Sequence, residues 1–89
     1  VAARRWLATP VDHVRDVRGE FLLKLAYLDR AGRSREALVE RQLEVFAPVF
    51  ASARGSKDAG GFAVVHDRWR REQVGAVERF LRALTPTTP

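Results

Sequence analysis

The segment from residue 14 to residue 28, VRDVRGEFLLKLAYL, constrains the fold more than any other part of the sequence. Plotted at 100° per residue, its apolar side chains lie on two sides of a helix. The wide stripe consists of Val14, Val17, Phe21, Leu22, Leu25 and Leu28, whereas Leu23 and Tyr27 fall on the opposite side. A chain of 89 residues has little left to cover that second side. We therefore predict that a second subunit or an upstream segment covers it.

Start and stop signals divide the first third of the chain into two helices. The run RRWLATP has the pattern of a helix end, which predicts a short first helix that continues from a missing upstream segment. Thr9 is a suitable N-cap and Pro10 a suitable first residue for the next helix. That second helix is predicted from about Pro10 to Arg30, with Gly32 as its stop.

Two further helices are predicted after Gly32. Ser34 caps the third, which runs to about Ala53 and stops at Gly55, while Pro48 inside it should kink or split it. GSKDAGG predicts a mobile turn, and a fourth helix is expected over residues 62–84. The last residues, 85–89, should form a disordered tail. With no strand-like alternation, the fold class is predicted as all-α, a small bundle of about four helices.

Each long helix has a broad apolar face that polar residues interrupt. The third helix carries Leu38, Val39, Leu43, Val45, Phe46, Val49 and Phe50, and the fourth carries Phe62, Val65, Trp69, Ala76, Val77, Phe80 and Leu84. Arg18, Gln42 and Gln73 fall within such faces, and Lys24 falls at a margin. Arg18 must reach an edge or pair with an acid, because burial of an unpaired charge is costly. Two interpretations remain: a small core with polar groups at its edges, or an interface or mostly apolar ligand pocket.

Composition disfavours several functional classes. Cysteine is absent, and the two histidines have no paired metal-ligand spacing, so no metal or cofactor is expected. No apolar run is long enough to span a membrane, no signal peptide is visible, and a cytoplasmic location is expected. The net charge of +5 includes arginines around Trp69. Because nearby acids offset them, and because the helical plot turns Trp69 inward, a solvated face is favoured over a nucleic-acid site.

The order and spacing of several motifs resemble one protein family. A Trp-Leu pair lies before a proline in RRWLATP and is followed by VRGEFLLKL. The third helix contains LVERQL, and the fourth places VERFLRAL after Trp69. From about residue 5 to residue 84 these motifs resemble the C-terminal effector and dimerisation domain of PadR-family transcriptional regulators.

The resemblance implies a cytoplasmic bacterial regulator that acts as a homodimer and is not an enzyme. Residues 1–84 would form its C-terminal helical domain, and a winged helix-turn-helix domain missing from this chain would read operator DNA. A small aromatic or phenolic compound would be the effector. The expected effector pocket is bordered by Trp6, Arg18, Gln42, Trp69 and Gln73, with Arg18 available to a ligand carboxylate or to a structural acid such as Glu72. The expected dimer interface contains Leu23, Tyr27, Phe80 and Leu84.

Two other functions are compatible with an all-α chain of this length. A ligand-free helical dimerisation module would lack the pocket. A small all-α enzyme of the chorismate mutase type would use Arg18, Lys24, Arg41 and Gln73 on a dicarboxylate, although Arg41 points to the polar side of its helix. We consider the enzyme much less favoured, because the helix pattern differs from that of such enzymes.

Overall fold

The computed structural model describes residues 2–54 and 60–85, which form four α-helices and one 3₁₀ turn. The helices are α1 (Ala2–Ala8), α2 (Glu20–Arg30), α3 (Glu36–Arg54) and α4 (Phe62–Ala83), and the 3₁₀ turn is Val14–Arg18. The described residues contain no strand, which confirms the predicted all-α class. The predicted stop at Gly55 and most of the predicted mobile turn and tail lie outside the described residues.

The predicted helix from Pro10 to Arg30 is wrong in its first half. Thr9 does not cap it; its hydroxyl instead donates to the carbonyl of Arg5 at 2.6 Å and closes α1. The chain then runs to the 3₁₀ turn, and Gly19, with ψ near −87°, separates that turn from α2. Because of this break, residues 14–18 do not continue the 100° spacing of α2, so their side chains point in directions that one continuous helix would not give. Val17, Phe21 and Leu28 still reach the core, but Leu22, predicted in the main stripe, is exposed.

The ends of α2 and α3 follow the sequence signals. Gly32 has a φ of 66°, the left-handed conformation that glycine adopts without strain. It allows the N–H of Arg33 to donate to the carbonyl of Leu28 at 2.9 Å, so α2 ends in a Schellman motif. The Ser34 hydroxyl accepts the N–H of Glu36 at 3.2 Å. Pro48 does not split α3. Because proline has no N–H, the carbonyl of Glu44, four residues earlier, lacks its helical hydrogen bond. Glu44 and Pro48 are both exposed, so this carbonyl can face water.

The core lies mainly between α3 and α4, with α2 and the 3₁₀ turn packed at one end. Its buried apolar residues are Val11, Val17, Phe21, Leu28, Leu38, Val39, Phe46, Phe50, Ala53, Val74 and Leu81. The molecule is flat, 49 × 34 × 17 Å, with a radius of gyration of 15.1 Å. A compact chain of this length would have a radius of gyration of about 12 Å. The four helices therefore form an open layer in which substantial helix surface stays uncovered.

The orientation of α4 corrects the predicted stripe of that helix. Val74 and Leu81 face α3 and are buried, whereas Trp69, predicted to point inward, is 64% exposed. Phe62, in the same predicted stripe, is 79% exposed. The helix has two apolar sides, and α3 covers only the one that contains Val74 and Leu81.

Candidate functional site

An open groove of about 610 Å³ lies between the 3₁₀ turn and α4. Its apolar lining is formed by Val14, Val17, Val49, Val74 and Val77, and its polar lining by Asp12, His13, Arg15, Arg18, His66, Arg70 and Gln73, with Trp69 at the α4 side. Val17 and Val74 are core residues, so the two elements that form the groove are fixed by the main hydrophobic core.

The polar lining of the groove is predominantly cationic. Arg15 and Arg18 come from the 3₁₀ turn and Arg70 from α4, while Asp12 is the acid among the lining residues. Guanidinium groups bind carboxylates through paired, charge-assisted hydrogen bonds. An apolar lining with several cations suits a small ligand that has an apolar body and an anionic group.

The structure brings together three of the five predicted pocket residues. Arg18, Trp69 and Gln73 line the groove. Arg18 is exposed there rather than buried in the core stripe, because the break at Gly19 rotates it away from the α2 face. The acid suggested as its partner, Glu72, instead pairs with Arg68 at 3.0 Å. The sequence prediction missed Arg15 and His13, which reach the groove only because residues 9–13 are not helical.

Gln42 does not join the groove. Its side chain is fully buried, its amide oxygen accepts the Val11 N–H at 2.8 Å, and its amide nitrogen donates to the Val11 carbonyl at 2.8 Å. The predicted pocket role of Gln42 is replaced by a structural one, since both ends of its amide hold the segment between α1 and the 3₁₀ turn.

Trp6 lies away from the groove, beside a polar cluster that attaches α1. Its ring packs edge-on against Tyr27, with 6.1 Å between centroids, and the Lys24 ammonium lies 5.0 Å from the Trp6 ring centroid. The sequence places Lys24 at the margin of the apolar stripe, but in the structure its side chain is buried, with 1% exposed. It donates to the Thr9 carbonyl and pairs with Glu20 at 3.0 Å. These contacts satisfy a buried cation, so the polar cluster is explained by fold stability.

The residues that would serve a chorismate mutase-like site do not share one cavity. Arg18 and Gln73 line the groove, whereas Lys24 is buried under Trp6. Arg41 donates to the Ala8 carbonyl at 3.0 Å and so helps to close the end of α1. Two of the four side chains are therefore committed to holding α1.

One side of α4 carries a continuous row of exposed residues, which we call the α4 stripe. It consists of Phe62, His66, Trp69, Gln73, Ala76 and Phe80. Val65 flanks it and is 62% exposed. Contiguous exposed apolar surface of this kind marks interaction sites in soluble proteins. Trp69 and Gln73 also line the groove, so the α4 stripe and the groove share an edge.

A second exposed apolar face lies on α2. Leu23 and Tyr27 are about half exposed, on the side of α2 where the sequence places them, and Leu22 is exposed as well. Of the other two residues expected at an interface, Phe80 lies in the α4 stripe, whereas Leu84 is partly buried against the chain's own core. Leu84 is therefore mainly a core residue.

The arginines around Trp69 do not form one cationic patch. Arg68 pairs with Glu72 at 3.0 Å, and Arg71 pairs with Asp67 at 3.1 Å. Arg70 points toward the groove instead. This division of the three arginines favours a local anion site over a surface that follows a nucleic-acid backbone. Within the described ranges, no helix is both long enough and apolar enough to cross a membrane.

Glu78 links α3 and α4 and gives the fold an acid-sensitive contact. Its carboxylate accepts hydrogen bonds from Arg54 at 2.8 Å and from Arg82 at 3.0 Å. Burial raises the pKa of Glu78, but the hydrogen bonds and charges of Arg82 and Arg54 outweigh this and lower it below 4.5. A lowered folded-state pKa stabilises the fold above the ordinary pKa, and this stabilisation is lost as the pH falls.

We predict that Glu78→Gln lowers the free energy of unfolding at pH 7 by less than about 1 kcal/mol, because the pairs are partly exposed. The difference from wild type should shrink as the pH falls below 4.5, where the wild-type carboxyl also becomes protonated. Urea unfolding followed by circular dichroism at a series of pH values measures it. In an Arg54→Gln/Arg82→Gln background the pH dependence of the difference should be lost; its persistence there would contradict the assignment.

Comparisons with protein-family models, with curated proteins and with solved structures find no match to this chain.

Proposed function

We propose that this chain is the C-terminal dimerisation and effector-binding module of a PadR-like bacterial transcriptional regulator. The observation that carries the proposal is the α4 stripe, an exposed apolar surface that shares Trp69 with a cationic groove. A second copy of the chain would cover the stripe, and a small effector would occupy the groove. Operator DNA would be read by a winged helix-turn-helix domain upstream in the same cytoplasmic protein.

Exposed apolar side chains support the dimer. In the α4 stripe Phe62 is 79% exposed and Trp69 is 64% exposed, and on α2 Leu23 is 49% exposed. A standard protein–protein interface buries about 800 Å² on each partner. The α4 stripe and the α2 face are the apolar surfaces available for such an interface.

The groove supports a small effector with an apolar body and a carboxylate, such as an aromatic acid. Valine side chains would contact the apolar body, and Trp69 would pack against an aromatic ring at the edge. Arg18 would bind the carboxylate, a role that is open to it because its predicted structural partner Glu72 is engaged by Arg68.

We predict that Arg18→Ala weakens binding of an aromatic carboxylate by about 10- to 100-fold, the range expected for one charge-assisted hydrogen-bonded contact. Isothermal titration calorimetry with benzoate, 4-hydroxybenzoate and 2-naphthoate measures the affinity. Arg33→Ala is the matched control, since Arg33 is exposed but lies outside the groove. If none of the acids binds wild type, the groove is not an effector site and the chain is a ligand-free dimerisation module.

The regulator assignment has its own test. The reading frame upstream of residue 1 should encode about 80–100 residues with a winged helix-turn-helix pattern, ending in a helix that leads into α1. A frame that encodes a different class of domain would contradict the assignment to a regulator, while leaving the dimer and the groove to be judged by their own measurements.

A further inference from the structure

The 3₁₀ turn separates its residues into an apolar row and a basic row. A 3₁₀ helix has three residues per turn, so side chains three positions apart lie one above the other. Val14 and Val17 therefore form one row, and Arg15 and Arg18 form the row beside it. All four residues line the groove. The turn side of the groove thus has two guanidinium groups next to an apolar surface.

Arg70 supplies a cation on the other side of the groove, from α4. It lies four residues before Val74, so the two side chains share one face of the helix. Val74 is buried in the core, as Val17 is on the turn side, whereas Arg70 is exposed. The groove therefore has a buried valine floor, with exposed arginines on both of the elements that form it.

These arginines are not neutralised by the fold. Among the residues that the structure describes, no ion pair joins Arg15, Arg18 or Arg70 to an acid. Asp12 also lines the groove, so three arginines and one aspartate give the lining a net charge of +2 when the histidines are neutral. A ligand with one carboxylate balances half of this charge, whereas a ligand with two carboxylates balances all of it.

We propose that the groove selects a rigid aromatic dicarboxylate over a monocarboxylate. One carboxylate binds Arg15 and Arg18, the other binds Arg70, and the valine floor contacts the ring body between them. This inference rests on the proposed effector site and specifies the charge of its ligand. The volume of about 610 Å³ lies within the range of about 300–1,000 Å³ that is usual for small-molecule sites, so a two-ring body can fit.

The competing arrangement is a single carboxylate that arginines from both sides share. It leaves the lining with an excess positive charge. In that arrangement Arg70 contributes equally to the binding of a monoacid and of a diacid. The two arrangements therefore differ in whether Arg70 affects the preference for a diacid or only the overall affinity.

Three acids with the same two-ring body test the proposal: 2-naphthoate, naphthalene-2,6-dicarboxylate and naphthalene-2,3-dicarboxylate. Isothermal titration calorimetry with the whole chain, at one ionic strength, measures each affinity. The 2,6-diacid should bind about 10-fold more tightly than 2-naphthoate, the effect of one further charge-assisted contact. Its two equivalent orientations account for only about twofold of this. The 2,3-diacid has the same charge, but both carboxylates lie at one end, so it should bind more weakly than the 2,6-diacid.

Arg70→Ala should reduce the preference for the 2,6-diacid over 2-naphthoate from about 10-fold to about twofold. Arg70 is exposed, so the fold should tolerate the change. Arg79→Ala is the matched control, because Arg79 is an exposed arginine of the same helix that lies outside the groove. It removes the same charge from α4 and should leave the preference as it is in wild type.

The outcomes separate the diacid preference from the effector site itself. A preference that is present in wild type and Arg79→Ala but lost in Arg70→Ala supports the proposal. Equal binding of the two diacids, or a preference that Arg70→Ala does not change, overturns it. A wild-type chain that binds 2-naphthoate as tightly as the 2,6-diacid also overturns it, while the proposed effector site stands. A chain that binds none of the three acids refutes the effector site together with this inference.

Discussion

Gln42→Leu should lower the free energy of unfolding by about 3 kcal/mol, because it leaves the N–H and carbonyl of Val11 without partners in a buried site. Leucine is similar in volume, so the loss reports hydrogen bonding rather than a cavity. Gln42 is fully buried and makes both bonds at 2.8 Å. A domain of this size has a total stability of only about 4–13 kcal/mol, so the loss is a large part of it.

Urea unfolding followed by circular dichroism measures this change, at one protein concentration so that any dimer contributes equally. The melting temperature should fall by more than about 10 °C. Glu44→Leu is the control, since it places the same side chain at an exposed position of α3 and should change stability by less than about 0.5 kcal/mol. A Gln42→Leu chain as stable as this control would show that the Gln42–Val11 contact does not hold the segment.

Phe62→Glu should weaken self-association at least about 100-fold. A two-fold dimer contains the change twice, and each copy loses the burial of a phenylalanine side chain, about 1.5–3 kcal/mol. Phe62 is the most exposed large apolar residue of the α4 stripe and lies outside the groove, so the change tests the interface and not the ligand site.

Sedimentation velocity over a range of concentrations measures this effect. Val45→Glu is the matched control, because it introduces the same charge at an exposed apolar residue of α3. The control should dimerise as wild type does. Equal dissociation constants for Phe62→Glu and wild type would show that Phe62 is not in the dimer interface. The exposed face of α2, with Leu23 and Tyr27, would then be the candidate interface.

Local signals in the sequence predicted the helices well, because they act within a few residues. Gly32 and Ser34 end α2 and cap α3 through backbone and side-chain contacts to near neighbours. These signals do not reveal the break at Gly19, because Thr9 and Pro10 are the residue types that favour a helix start. The competing structure is stabilised by Gln42, which lies 31 residues from Val11 in the chain.

The candidate site was predicted in part. Periodicity shows that α4 is apolar on a wide arc, but it does not show which part of that arc α3 covers. The covered part contains Val74 and Leu81, and Trp69 lies outside it. Periodicity alone puts Lys24 at the margin of the apolar stripe, because its partners, the Thr9 carbonyl and the Trp6 ring, lie in an earlier segment whose path the sequence does not reveal.

Sedimentation equilibrium of the unmodified chain, from low to high micromolar concentration, tests most directly whether the α4 stripe is covered by a second copy. If a second copy covers it, the measured mass should approach twice the 10.0 kDa chain mass as the concentration rises. A mass that stays at 10.0 kDa over the whole range would contradict it, since the exposed α4 stripe would then need no second copy.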